Sequence, residues 1–182
     1  MTRASVAVAA VTAAALVAVS VAFAQQDGDD DWDPVLGGVV SKAPVTLEQG
    51  FAASSREGVP ISGKFEIEVD GAQLSVYTAR NEAYSEVIVD HRSGRIAKVI
   101  PIVDGNDLVE AQQQMEVMRH ADRSLEQLTA GVLKSYPGYR AVSVTPGRKA
   151  ARADAPPLAR IVLTNGRDWK TVYEPLESAE KL

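Results

Sequence analysis

The chain has 182 residues, a formal net charge of -5 and no cysteine. The acid excess argues against nucleic acid as the default partner. The absence of thiols excludes a disulfide framework, so packing of an apolar core must hold the fold together.

In chain order, residues 1–24 read as an export signal. Arg3 supplies a positive start, Val6 to Val21 is an Ala/Val-rich apolar run, and Ala22-Phe23-Ala24 has the small-x-small pattern of a cleavage site. An uncleaved anchor is the rival reading, because the run approaches the ~20 residues that span a bilayer. Alanine is only weakly apolar, Thr12 and Ser20 interrupt the run, and the cleavage pattern adjoins it, so cleavage is favoured. The expected location is therefore periplasmic or secreted, with no stable membrane span after cleavage. Arg3 is the only charged residue in the signal, so the mature chain is more acidic still. The remainder is long enough for one ordinary domain or two small ones that pack on each other.

Residues 25–43 are expected to form an acidic flexible leader. Asp27-Gly28-Asp29-Asp30-Asp31-Trp32-Asp33 packs five carboxylates into seven residues, and their repulsion favours an extended, solvated chain. A calcium loop is the sharper alternative, but the closing bidentate glutamate of the hand-type loop is missing.

A first unit is expected over residues 44–104. Thr46 and Gln49 are spaced for a capping box, Leu47 and Phe51 face inward, and Gly58 and Pro60 stop the helix. Lys64 to Val69 alternates strictly, with Phe65, Ile67 and Val69 on one face. Asp70-Gly71 predicts a type I′ hairpin, after which Leu74, Val76 and Thr78 return on the core side. Tyr84 to Val89 is a third strand, and Asp90-His91-Arg92-Ser93-Gly94 a turn begun by Asp and completed by a left-handed Gly. Arg95 to Val103 is a fourth strand, whose Pro101 assigns that end to a sheet edge.

Residues 105–123 form a helical connector with Leu108, Ala111, Met115 and Met118 on one stripe and a break near residues 122–124. A second unit over 124–176 begins with Ser124-Leu125-Glu126-Gln127, the counterpart of Thr46-Leu47-Glu48-Gln49. Its helix buries Leu125, Leu128, Val132, Leu133 and Tyr136 and ends at Pro137-Gly138. Val142 and Val144 mark one strand, and Leu158, Ile161 and Leu163 the next. Asn165-Gly166 is a hairpin turn, and Trp169 to Tyr173 follows. Residues 177–182 are a tail. The insertion from Pro146 to Pro157 carries Arg148, Lys149 and Arg152, which could serve a partner, although a charged, Ala/Pro-rich loop is more commonly just solvated.

The order helix, hairpin, third strand and then Asp90-His91-Arg92-Ser93-Gly94-Arg95-Ile96 resembles a PepSY domain, which ends in Asp-x-x-Thr/Ser-Gly-Lys/Arg-Ile. The resemblance covers residues 44–103 well. It covers 121–176 less closely, because Glu174-Pro175-Leu176-Glu177 stands where the Asp-to-Gly turn would be. It implies helix-plus-antiparallel-sheet modules of the kind found in exported proteins and protease propeptides, with peptidase inhibition as one proposed role. A tandem pair is similar in architecture to beta-lactamase inhibitory protein, whose joined concave sheet grips an enzyme, although no inhibitory loop motif of that protein is recognisable. The expected fold is α+β, two helix-on-antiparallel-sheet units in tandem.

No catalytic set stands out: there is no thiol, no phosphate-binding glycine loop and no Gly-x-Ser-x-Gly elbow. His91 falls in a turn without ligand spacing, and Glu116 with His120 lacks a third ligand in register, so neither metal nor cofactor is expected. Tyr77, Tyr84, Trp169 and Tyr173 lie on predicted strands and are the candidate partner-binding anchors. Tyr77, out of phase with Leu74, Val76 and Thr78, is the better interface candidate, whereas core filling is the favoured role of Trp169. The expected function is non-catalytic binding of a protein or peptide of the cell envelope, with a peptidase among the candidate partners. The alternative is a sensor or accessory module that binds a small ligand or cation between the two units.

Overall fold

Both Ser/Thr-Leu-Glu-Gln segments start helices by reciprocal capping. Gln49 N–H donates to Thr46 Oγ1 while Thr46 N–H donates to Gln49 Oε1, and Gln127 and Ser124 repeat the exchange. Each box supplies partners for amides that a helix start leaves unbonded. These helices are α2 (Leu47–Ser54) and α4 (Leu125–Leu133). The structure is a computed structural model, and it describes residues 33–149 and 155–177. The expected export signal, most of the acidic run, Arg152 and all but the first residue of the tail lie outside the described residues.

The remaining elements in chain order are α1 (Pro34–Lys42), β1 (Val59–Glu68), β2 (Gly71–Arg80), β3 (Ala83–Val89), β4 (Ile96–Ile102), α3 (Gly105–Met118), β5 (Arg140–Arg148), β6 (Pro157–Thr164) and β7 (Trp169–Pro175). The fold class is α+β, with one antiparallel sheet in the order β4-β3-β2-β1-β5-β6-β7. The strands on either side of α3 in the sequence therefore share a sheet. They meet at a seam where Gly63 pairs with Val144 and Lys64 with Ser143.

Helices cover both faces near the seam. On one face α2 and α4 pack together over β1, β2 and β5, burying Leu47, Phe51, Leu125 and Leu128 against Leu74, Val76, Val144 and Ile161. On the other face α3 lies over β5, β1, β2 and β6, with Ala111, Val117 and Met118 buried. The outer strand β4 carries Pro101 and is an edge of the sheet, as a residue without an N–H requires.

Helix α1 lies within the segment expected to be an extended leader. Asp33, last of the acidic run, caps it by accepting from Val35 N–H at 2.7 Å, and Pro34 occupies the first turn, where a missing amide costs nothing. It packs across the end of the sheet: Gly37 lies against the Trp169 ring, Ser41 against Gly166, and Arg140 donates to the carbonyls of Val40 and Ala43. Burial of Val40 and Ala43 offsets the cost of ordering this short helix.

Two turns differ from their expected form. In the first hairpin Glu68 pairs with Gly71, so Val69 and Asp70 are the central residues, and positive φ (114°) falls on Gly71 beyond them. Positive φ at both central residues, the type I′ requirement, occurs instead at Asn81 (50°) and Glu82 (64°) between β2 and β3. Asn165-Gly166 does begin a hairpin, but its loop runs from Asn165 to Asp168, where Asn165 Oδ1 accepts from the Arg167 and Asp168 amides.

Candidate functional site

Direct cross-strand partners share a face, as do alternate residues of one strand. The pairs Ser62–Tyr77, Ala79–Tyr84, Lys64–Ser143, Ser143–Val162 and Arg160–Tyr173 therefore place Tyr77, Tyr84 and Tyr173 on the face that carries α3. Trp169 is in the same phase as Tyr173, but beside the turn its ring reaches α1. The candidate anchors thus share a phase without forming one patch.

Helix α3 flanks two clefts of opposite character. Its C-terminal half and the β2–β3 hairpin enclose a groove of about 530 Å³. Val59, Pro60, Ala79, Tyr84 and Met115 give this groove apolar walls, and Arg80, Arg119 and Glu82 stand at its rim. Val59 remains 54% exposed. Arg80 donates to the Arg56 carbonyl, and Arg119 pairs with Glu116 at 2.6 Å, so both guanidiniums are held by exposed, water-screened contacts. The strained Asn81-Glu82 turn sets the end of this groove.

The N-terminal half of α3 and the seam enclose a polar cleft of about 300 Å³. Lys64, Ser143, Thr145 and Arg160 form its sheet side, and Asp107, Glu110 and Gln114 its helix side. Ser62 Oγ lies 2.6 Å from Gln114 Oε1 and ties the helix to β1. Tyr77 also lines this cleft and is half-buried rather than set on an open face. Burial, reinforced by Glu86, Glu66, Asp107 and Glu110, pushes its phenol well above the ordinary tyrosine range, so it stays a neutral hydroxyl. Next to it, buried Ser75 lies between Glu86 Oε1 at 2.7 Å and Glu66 Oε1 at 3.1 Å, while Lys64 Nζ pairs with Glu66 Oε2 at 2.6 Å.

The other candidates lie elsewhere. Tyr173 stands on the outer strand β7 and is 45% exposed. Arg148 ends β5 and donates to the Ala155 carbonyl, and Lys149 is exposed just beyond it. Strand pairing reaches into the expected insertion, since Pro146, Gly147 and Arg148 pair with Ala159, Leu158 and Pro157. Glu116 and His120 do not converge: Glu116 pairs with Arg119, and His120 Nδ1 lies 3.8 Å from Glu177. Among the described residues no group of three or more His, Cys, Asp or Glu side chains could hold a metal, and no helix is long and apolar enough to cross a membrane. The apolar groove was not read from the sequence. Its walls come from β1, β2, β3 and α3, and the only available sign was Tyr84 at the start of a strand.

No family model, curated protein or solved structure matches the chain.

Proposed function

We propose that the protein is an exported, non-catalytic binding protein that takes an apolar side chain of a partner protein or peptide into the groove beside Tyr84 and Met115. The observation that carries this reading is the groove itself: apolar walls, charged rim, and an open mouth where Val59 stays exposed. Covering such walls contributes roughly 25 cal/mol per Å² of apolar surface removed from water. Arg80 and Arg119 at the rim favour a partner with carboxylates beside its apolar anchor, and their charges speed encounter more than they tighten the complex. The PepSY-like reading of two related units belongs to the same proposal. It is supported by two capping boxes followed by antiparallel strands in sequential order.

Fluorescence anisotropy with short peptides carrying Leu, Phe or Met beside acidic residues tests the groove. Peptides that bind the protein and lose affinity with Met115→Asp support the reading. No binding across the set, or binding indifferent to that substitution, overturns it. A panel of envelope peptidases assayed with and without the protein tests whether the partner is a peptidase.

A second reading, a small polar ligand or cation held at the seam, is favoured by the polar cleft, whose lining comes from both sides of the β1–β5 junction. Thermal-shift measurements with divalent metals and polar metabolites address it, because a ligand selective for the folded state raises its stability.

A further inference from the structure

We propose that the groove beside Tyr84 and Met115 reads the carboxyl end of a partner peptide: the last residue's apolar side chain enters the groove, and its terminal carboxylate is held by the Arg80 and Arg119 guanidiniums. This assignment rests on the groove being a site for an apolar side chain, and it specifies which carboxylate accompanies that side chain.

The shape of the groove suits a chain that stops. Its mouth is open beside Val59, which is 54% exposed. Its other end is the two-residue connection Asn81-Glu82, where Arg80 and Ala83 lie directly opposite each other on β2 and β3. Both connecting residues hold positive φ, and so tight a turn cannot swing aside without opening the last pair of the hairpin. A peptide that enters past Val59 and continues must climb over this turn, whereas a peptide that ends there need not. A carboxylate on an Asp or Glu side chain within a continuing chain brings two backbone arms to a groove with one open side. The volume of about 530 Å³ lies in the range of small-ligand sites and admits the end of a peptide with its backbone.

The charge of the lining has the matching sign. Glu82 is its one carboxylate, against the two guanidiniums of Arg80 and Arg119, while the chain as a whole carries -5. A locally positive site on an acidic protein attracts anionic groups to that place. Arg80 immediately precedes the turn that closes the groove, and its bond to the Arg56 carbonyl holds the guanidinium there while leaving further N–H groups for a ligand. Arg119 follows the last turn of α3, and its exposed pair with Glu116 is weak enough to yield to a ligand carboxylate. A carboxylate fits the planar fork of a guanidinium with two parallel charge-assisted bonds, which a C-terminal amide lacks the charge to make.

Fluorescence anisotropy of the full protein with matched peptides tests the proposal. The probes end in Leu, Phe or Met, carry the label at the amino end, and are made as the free acid, as the C-terminal amide, and as the free acid lengthened by Gly-Ser beyond the apolar residue. The free acid is expected to bind about tenfold or more tightly than the amide, and lengthening should weaken it by a similar factor. Arg80→Gln should lower the acid-to-amide ratio, and adding Arg119→Gln should bring it close to unity, with circular dichroism verifying that each variant folds. Acid and amide that bind alike, both blocked by Met115→Asp, overturn the carboxyl-end assignment and leave the groove as a binding site. Lengthened peptides that bind as well as the parent, or a ratio indifferent to both arginine substitutions, also overturn it. Absence of binding by every probe removes the assignment and the groove reading together.

Discussion

The Phe51 ring lies directly over Gly63: a Cβ built on Gly63 would stand 2.7 Å from Phe51 Cε1 and 3.2 Å from Leu47 Cδ1. Gly63 is also one of the residues that pair across the seam, opposite Val144. Helix α2 therefore docks on bare backbone at the one place where the two groups of strands join. Gly63→Ala is expected to destabilise the protein by about 1–3 kcal/mol, the range for overpacking a closed core. Urea denaturation measures this, and the penalty should shrink in a Phe51→Leu background because the two sites share one space. An unchanged midpoint for Gly63→Ala would contradict this account of the seam.

Ser54 is fully buried near the end of α2, and its Oγ has no hydrogen-bond partner among the described residues. A buried hydroxyl without a partner costs desolvation free energy, and alanine removes that cost while favouring the helix. Ser54→Ala is expected to raise stability by about 1 kcal/mol. Thermal unfolding that shifts downward would reveal a partner for this hydroxyl.

Tyr77 gives the alkaline limb of stability a defined sign. Its phenol is raised above the ordinary tyrosine value of 10.0, first by burial and then by surrounding carboxylates. The unfolded chain loses this proton as pH rises past about 10 while the folded chain keeps it, so stability falls with increasing pH there. Below that pH the contribution is complete. Tyr77→Phe should flatten the decline between neutral and strongly alkaline pH. A variant that follows the parent curve would show that Tyr77 ionises normally in the folded protein.

Asp90 acts in the opposite direction. The Ser93 amide is the largest cause of its lowered pKa, and Asp90 Oδ1 accepts from that amide at 2.6 Å and from the Arg92 amide at 3.1 Å. Because the folded value is depressed, the stabilisation is present above the ordinary aspartate range and is lost as pH falls through the folded value. Carbon-13 NMR should give Asp90 a titration midpoint below that of an aspartate in a free peptide. Equal midpoints would mean that the turn does not hold the carboxylate.

Local chemistry was legible where neighbouring residues determine it. Thr46 with Gln49, Ser124 with Gln127, the Asp90-to-Gly94 turn and the edge position of β4 all follow from short-range spacing or a missing amide. Pairing that depends on distant residues was not legible. Nothing near Gly63 signals that Val144 will lie opposite it, and nothing near Pro34 signals that α1 will find Trp169. The type I′ turn was misplaced for a related reason: Asp70-Gly71 has the stronger local preference, but the β1–β2 register puts Gly71 outside the central pair. Tyr77 was correctly phased away from the α2 side, yet α3 covers that face, and a strand pattern carries no information about a helix that returns over it.

The contact between α1 and Trp169 brings together the first and the last of the described elements. Chain closure on this scale is entropically slow, so much of the native topology must be assembled before α1 gains its docking surface. Until β7 is in place, Gly37 lacks the Trp169 ring against which it packs. A chain emerging from its amino end would carry α1 exposed through most of its synthesis, the interval in which a chaperone would recognise it.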